Sequence, residues 1–216
     1  MTLTELHPDL ADYVHPHDTF GQVIHHPLVI WFMPLDSVTV GIVNSQYEQK
    51  RLAVEEALDK CEYERYIWLH ERPYRLEAFI SLIDELGADI TDAQYWQILG
   101  EIWTDTENAH QNINEWADLF GADRADRHLL MTEDEIAELN ALPDTLTIYR
   151  GCIHGLNEDG ISWTTDRNRA EWFANRFQNP DGTPCVLQQQ IAKSEVIAYI
   201  TRRSESEVLT LSHPWQ

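Results

Sequence analysis

The sequence predicts an α+β protein, a helical N-terminal lobe followed by a mixed, mostly antiparallel β-sheet. Three observations carry this. Between residues 46 and 140, apolar residues recur at helical spacing behind Thr-x-x-Gln and Thr-x-x-Glu boxes. From residue 146 the pattern shifts to short apolar runs bounded by Gly, Pro, Asn and Asp, which is how strands read. The composition, 43% hydrophobic and 24% charged, is that of an ordinary globular chain long enough for one large domain or two small ones.

Taken in order, residues 1–45 read as an N-terminal extension with a possible β-hairpin. The apolar runs Leu28–Met33 and Val38–Val43 suit its two arms or two separate short strands. Five of the ten histidines precede residue 27; they lack a third ligand at metal-binding spacing and read as loop histidines. Residues 46–140 form the helical lobe. Leu76, Phe79, Ile80 and Ile83 mark one buried helix face. Thr91 with Gln94, Thr104 with Glu107, and Thr132 with Glu135 are capping boxes, in which each side chain satisfies an orphan amide of the first turn. Behind them lie Tyr95, Leu99 and Ile102, then Ala109, Ile113, Trp116 and Phe120, then Ile136 and Leu139, with a stop near Asn140.

Residues 146–216 form the β core, packed with residues 46–140 as one domain. Strands are expected at Leu146–Tyr149, Ile161–Thr164, Val186–Ile191, Glu195–Ile200 and Glu207–Leu211. Asp166 caps a helix with apolar positions Ala170, Phe173, Ala174 and Phe177. Asn179–Pro184 is a turn.

The net charge is −22 and uneven. Residues 1–145 hold 8 basic and 29 acidic residues, whereas residues 146–216 hold 7 and 8, six of the seven being arginine. An acidic surface repels a phosphate backbone, which disfavours general duplex binding. The arginine-bearing C-terminal part can accept an anionic dinucleotide. The N-terminus carries acidic residues where a secretion signal is basic and then apolar, and no apolar run reaches the roughly 18 residues of a membrane span. A cytoplasmic protein without membrane contact is expected. Cys61, Cys152 and Cys185 are widely spaced and odd in number, so they read as reduced, buried or half-buried thiols.

Three fragments in the C-terminal part carry chemistry. Tyr149-Arg150-Gly151 ends the first strand. Ser162-Trp163-Thr164 alternates, so that both hydroxyls share a face and Trp163 packs into the core. Glu205-Ser206-Glu207 places two carboxylates two residues apart, on one face if the segment is extended. Each fragment alone fits an ordinary strand. In this order, with a helix after the second, they resemble the Arg-Ser-Glu class of mono-ADP-ribosyltransferases, specifically compact bacterial and phage forms with a Glu-x-Glu motif. The resemblance covers about residues 146–212.

The resemblance implies an ADP-ribosyltransferase-type sheet and NAD as co-substrate, with no metal. It implies that Arg150 holds phosphate or ribose oxygens, that Gly151 lets the backbone approach the nicotinamide amide, and that Ser162 positions the catalytic glutamate. Thr164 keeps a hydroxyl where the family often has Ser-Thr-Ser. Glu207 is implied as the catalytic carboxylate. Glu205 matches the residue of members that modify arginine, so a protein arginine is the favoured macromolecular acceptor and a nucleic acid base a lesser one. The segment Thr201–Ser204 is short for a target-recognising turn. Two other readings stay open: an NAD glycohydrolase with water as acceptor, and an acidic binding or inhibitor module on a degenerate transferase fold. A toxin or phage effector fits the first two.

Overall fold

The computed structural model describes residues 5–176 and 182–212. The protein is α+β, with eight α-helices and two antiparallel sheets among the described residues. It divides into two compact units, Met1–Ile90 and Thr91–Gln216.

In the first unit a short helix, α1 (Pro8–Ala11), leads into three strands, β1 (Val14–His17), β2 (Gly21–His26) and β3 (Val29–Trp31). They pair antiparallel in the order β1-β2-β3. The hairpin expected between Leu28–Met33 and Val38–Val43 does not form. β3 pairs instead with β2, and four histidines read as loop residues, His15, His17, His25 and His26, lie in strands. The run Val38–Val43 opens helix α2 (Ser37–Asp59). The reason is a cap at Asp36, whose carboxylate accepts from the amides of Val38 and Thr39 while the Thr39 hydroxyl accepts from the Asp36 amide. Val40, Val43 and Tyr47 are buried at helical spacing, whereas Val38 is 68% exposed. The break expected at residues 45/46 therefore falls inside α2. The core of this unit joins Leu10, Ile24, Leu28, Val29, Val43 and Tyr47. Helices α3 (Tyr63–Leu69) and α4 (Arg75–Asp84) follow. The buried face of α4 is Leu76, Ala78, Phe79 and Leu82, with Ile80 and Ile83 half-buried, so it is turned slightly from the expected stripe. Cys61, expected to be covered, is exposed in a left-handed turn after α2 (φ 55°).

The second unit starts with helices α5 (Asp92–Asp105), α6 (Ile113–Phe120) and α7 (Glu133–Ala141). The boxes at Thr91/Gln94 and Thr132/Glu135 cap α5 and α7 as expected. Thr104 caps nothing. It lies in the last turn of α5, with its hydroxyl donating back to the Gly100 carbonyl at 2.7 Å. Trp103, Trp116 and Phe120 pack edge-to-face and stacked, with centroids 4.9–5.6 Å apart, and give this unit its aromatic core.

The strands are β4 (Thr145–Ile153), β5 (Ser162–Thr164), β6 (Pro184–Ala192), β7 (Ala198–Ile200) and β8 (Glu207–Leu209). Helix α8 (Arg167–Asn175), between β5 and β6, is capped by Asp166 through the Asn168 amide. Phe177 and residues 179–181 of the expected turn lie outside the described residues. The sheet order is β6-β4-β5-β8-β7. Every pairing is antiparallel, not mixed. β5 and β6 do run the same way, but β4 stands between them and is antiparallel to both. Among the described residues no helix is long and apolar enough to cross a membrane.

Candidate functional site

The centre of the five-stranded sheet brings the three sequence fragments together. Tyr149 on β4 stands opposite Thr164 on β5, and Thr164 stands opposite Glu207 on β8. Arg150, Gly151, Ser162, Thr164, Glu205 and Glu207 all line one cleft of about 250 Å³.

Glu207 is the most constrained of them. It is 3% exposed. Its Oε1 accepts from Ser162 Oγ at 2.5 Å and from the Trp103 indole N–H at 3.3 Å. Its Oε2 is buried and accepts no hydrogen bond among the described residues, with Arg203 Nη2 at 3.8 Å. Burial pushes the Glu207 carboxyl above the usual carboxylate range, against the opposing pull of Arg203, Ser162 and Trp103. A buried acceptor without a donor costs about 1–3 kcal/mol. That oxygen is thus left without a donor among the described residues.

Glu205 does not sit on the strand with Glu207. β8 begins at Glu207, and Ser204 and Ser206 on either side of Glu205 adopt left-handed backbone (φ 56° and 45°). The even spacing expected of an extended segment is lost there. The Glu205 carboxylate is gripped by two guanidinium groups, Arg169 Nη2 at 2.7 Å on Oε1 and Arg203 Nη2 at 3.0 Å on Oε2. Burial alone raises this carboxyl, but the bonds from Arg169 and Arg203 outweigh it and hold it below the usual range. Two neighbouring carboxylates are therefore pushed in opposite directions, the pattern that separates roles in an acid–base site.

The segment 201–206 that carries Arg203 and Glu205 is tied down at three points. Glu135 of the α7 capping box reaches past its own helix, and its Oε1 accepts from the amides of Thr201 and Arg202 at 2.9 and 3.1 Å. Arg203 Nη1 donates to the Thr104 carbonyl at 3.0 Å. Thr164 Oγ1 donates to the Glu205 carbonyl at 2.8 Å and accepts from the Asp166 amide, which locks the segment to the start of α8. Thr164 thus positions the carboxylates.

Arg150 is turned along the floor of the cleft. Its Nε and Nη2 donate to the Asn157 carbonyl at 3.2 and 2.9 Å, and its Nη1 to the Ser162 carbonyl at 2.6 Å. Three of a guanidinium's five N–H groups are used this way, and the other two have no partner among the described residues. Gly160 makes the seat possible, because an ideal Cβ there would lie 1.9 Å from Arg150 Nη2. Gly151 serves packing: its Cβ would lie 2.0 Å from the Ala170 carbonyl oxygen and 2.6 Å from the Ala174 amide, so only a bare Cα lets α8 rest on β4. Trp163, 2% exposed, packs into the core and donates to the Gly160 carbonyl.

Sequence reading missed Trp103, Arg169, Arg203 and the second role of Glu135. Neither Trp103 nor Arg169 is singled out by local spacing. The pair Arg202-Arg203, two arginines beside the Glu-x-Glu, was the one signal available for the clamp. No family model, no curated protein and no solved structure matches this chain.

Proposed function

We propose that this chain is an NAD-dependent mono-ADP-ribosyltransferase that moves ADP-ribose to a macromolecular acceptor, with protein arginine favoured, and releases nicotinamide. In this reading the five-stranded sheet is of the ADP-ribosyltransferase type and the protein works in a cytoplasm. The observation that carries it is the Glu207 carboxylate, fixed on one oxygen by Ser162 and Trp103 and unpartnered on the other, in a cleft lined by Arg150.

Breaking the nicotinamide–ribose bond builds oxocarbenium character at the anomeric carbon. A preorganised carboxylate in a dry site stabilises that charge far better than water does. Glu207 Oε2 would accept from a ribose hydroxyl, which supplies the missing donor and favours the charged form. Ser162 and Trp103 hold the carboxylate in one orientation, so little reorganisation is needed as the bond breaks. The two remaining N–H groups of Arg150 would take a ribose or phosphate oxygen. Glu205 would receive an acceptor guanidinium.

One observation favours a second reading, NAD hydrolysis. Glu205 is already engaged by Arg169 and Arg203, so an incoming arginine must displace an internal one, whereas water need not. Incubation with labelled NAD, followed by mass spectrometry of both acceptor and small molecules, separates the two. An ADP-ribose adduct on protein supports transfer, and free ADP-ribose alone supports hydrolysis. NAD-dependent thermal stabilisation with neither product would mean a binding module.

A further inference from the structure

We propose that the β4–β6 ribbon carries a binding site for a thiophilic divalent cation such as zinc, built from Cys185, His154, Glu158 and Cys152. This does not rest on the transferase reading. The argument begins with strand geometry. Cys152 lies near the end of β4, and His154 is the first residue after the strand. Cys185 on β6 is the direct partner of Cys152 in the register, so the two lie on the same face. Their sulfur atoms are 3.1 Å apart. Glu158 comes from the turn after β4, which folds back on itself: the Glu158 carboxylate meets His154 Nδ1 at 2.7 Å and accepts from the Gly155 amide at 3.2 Å.

One donor atom each from His154, Glu158 and Cys185 lie within 4.8 Å of one another. Around a tetrahedral zinc, with Zn–S near 2.3 Å and Zn–N or Zn–O near 2.0–2.2 Å, neighbouring donors stand roughly 3.3–3.8 Å apart. The gap to close is about 1 Å. His154, whose side chain is 75% exposed, can make that move by rotation. Cys152 Sγ lies 3.1 Å from Cys185 Sγ but outside that group of three, so it would serve as the fourth donor by rotating toward His154 and Glu158. One imidazole, one carboxylate and two thiolates form a set that suits zinc better than magnesium or calcium, which prefer oxygen throughout. The four ligands would come from a segment of seven residues and its neighbouring strand, so only the 152–158 turn and one ladder position need be in place.

The charge is favourable too. A divalent cation with two thiolates and one carboxylate leaves a net −1 beside Arg150, which is on the same strand as Cys152. The site also bears on the cleft. Asn157 lies between His154 and Glu158, and its carbonyl accepts from Arg150 Nε and Nη2. A cation holding both ends of that turn would fix the seat of Arg150.

The test uses the full chain, reduced and stripped of metal, titrated with zinc against a chromophoric chelator and separately with cobalt. We expect one zinc per chain and a cobalt spectrum with thiolate charge-transfer bands. Zinc should shield two of the three thiols from a thiol reagent and leave exposed Cys61 reactive. Losing even an outer partner of a metal ligand costs 10–100-fold in affinity, so Cys185→Ser and Glu158→Gln should each weaken zinc binding by at least about tenfold. Glu158→Gln alters a turn at the surface, so it reads out the site even if Cys185→Ser fails to fold. Zinc binding unchanged by Glu158→Gln, a cobalt spectrum without thiolate bands, or all three thiols reactive in saturating zinc would each overturn the proposal. So would a reduced chain that takes up no zinc and readily oxidises to a Cys152–Cys185 disulfide.

Discussion

Replacing Glu207 by glutamine separates the two things its burial does. The amide keeps the side chain's size and keeps an acceptor oxygen for Ser162 and Trp103, so the local fold should survive. What disappears is a buried negative charge. Burying an ion costs several kcal/mol, while the amide N–H that takes the place of Oε2 costs about 1–3 kcal/mol if unmet. The lost pull of Arg203 at 3.8 Å offsets part of that difference. At pH 8 the variant should be as stable as the parent or up to about 2 kcal/mol more stable. The sign with pH follows from the raised carboxyl. The folded state binds this proton more tightly than the unfolded chain, so the parent loses stability as pH rises from the ordinary carboxylate value of 4.5 to the folded pKa. Glu207→Gln should remove that loss, and the two proteins should converge below 4.5. Activity should move the other way. Loss of one preorganised electrostatic contact costs about 2.7–4 kcal/mol, a hundredfold to a thousandfold in rate. Urea unfolding at several pH values and nicotinamide release at saturating NAD give the two readouts. A variant more than about 1 kcal/mol less stable at pH 8 would refute the claim that burial dominates the Glu207 environment. A folded variant with near-parental turnover would show that the catalytic carboxylate has been misassigned.

Trp103→Phe keeps the ring packing on Trp116 and Phe120 but removes the 3.3 Å bond to Glu207, so the pH at which activity appears should rise, as a pH–rate profile will show; an unmoved profile would remove Trp103 from the site. Glu205→Gln leaves Arg169 and Arg203 facing each other without their shared anion, and should abolish transfer while sparing part of any NAD hydrolysis, measured by adduct mass and free ADP-ribose; equal loss of both would place Glu205 in the donor site. Gly151→Ala forces α8 away from β4, and overpacking against backbone should cost about 3 kcal/mol or more in urea unfolding; a loss under about 1 kcal/mol would contradict the close approach seen here. The carboxyls of Glu135 and Glu205 are both held low: burial raises each, and backbone amides on Glu135 and arginine groups on Glu205 outweigh it. Their stabilisation is present above the ordinary carboxylate value of 4.5 and lost as pH falls through the folded values, so the protection factors of residues 201–206, taken relative to intrinsic exchange, should drop on acidification in that window and stay level between pH 6 and 8.

The sequence by itself determined what depends on neighbours along the chain. The caps at Thr91, Thr132 and Asp166, the presence of five C-terminal strands and the pairing of Ser162 with Thr164 on one face all follow from spacing within a few residues, because caps close on amides two or three positions ahead and strands alternate with period two, although β4 runs on to Ile153 where a loop is expected and β7 starts only at Ala198. Local pattern misled where two structures share it. Val38–Val43 is apolar enough for a strand, and only the Asp36 cap and the burial of alternate helix positions select the helix. Thr104 and Glu107 have the spacing of a cap, yet α5 runs through Thr104 because its packed tryptophan face continues to Trp103. Tertiary structure alone decided the electrostatics of the site. Trp103 meets Glu207 across 104 residues of sequence, and Arg169 meets Glu205 across 36. Such contacts leave no periodic trace, since they depend on where two elements end up after each has buried its own apolar face. The two glutamates are therefore alike in sequence, two residues apart, and opposite in the fold: one is neutralised by two arginines, and the other is buried with one oxygen unmet.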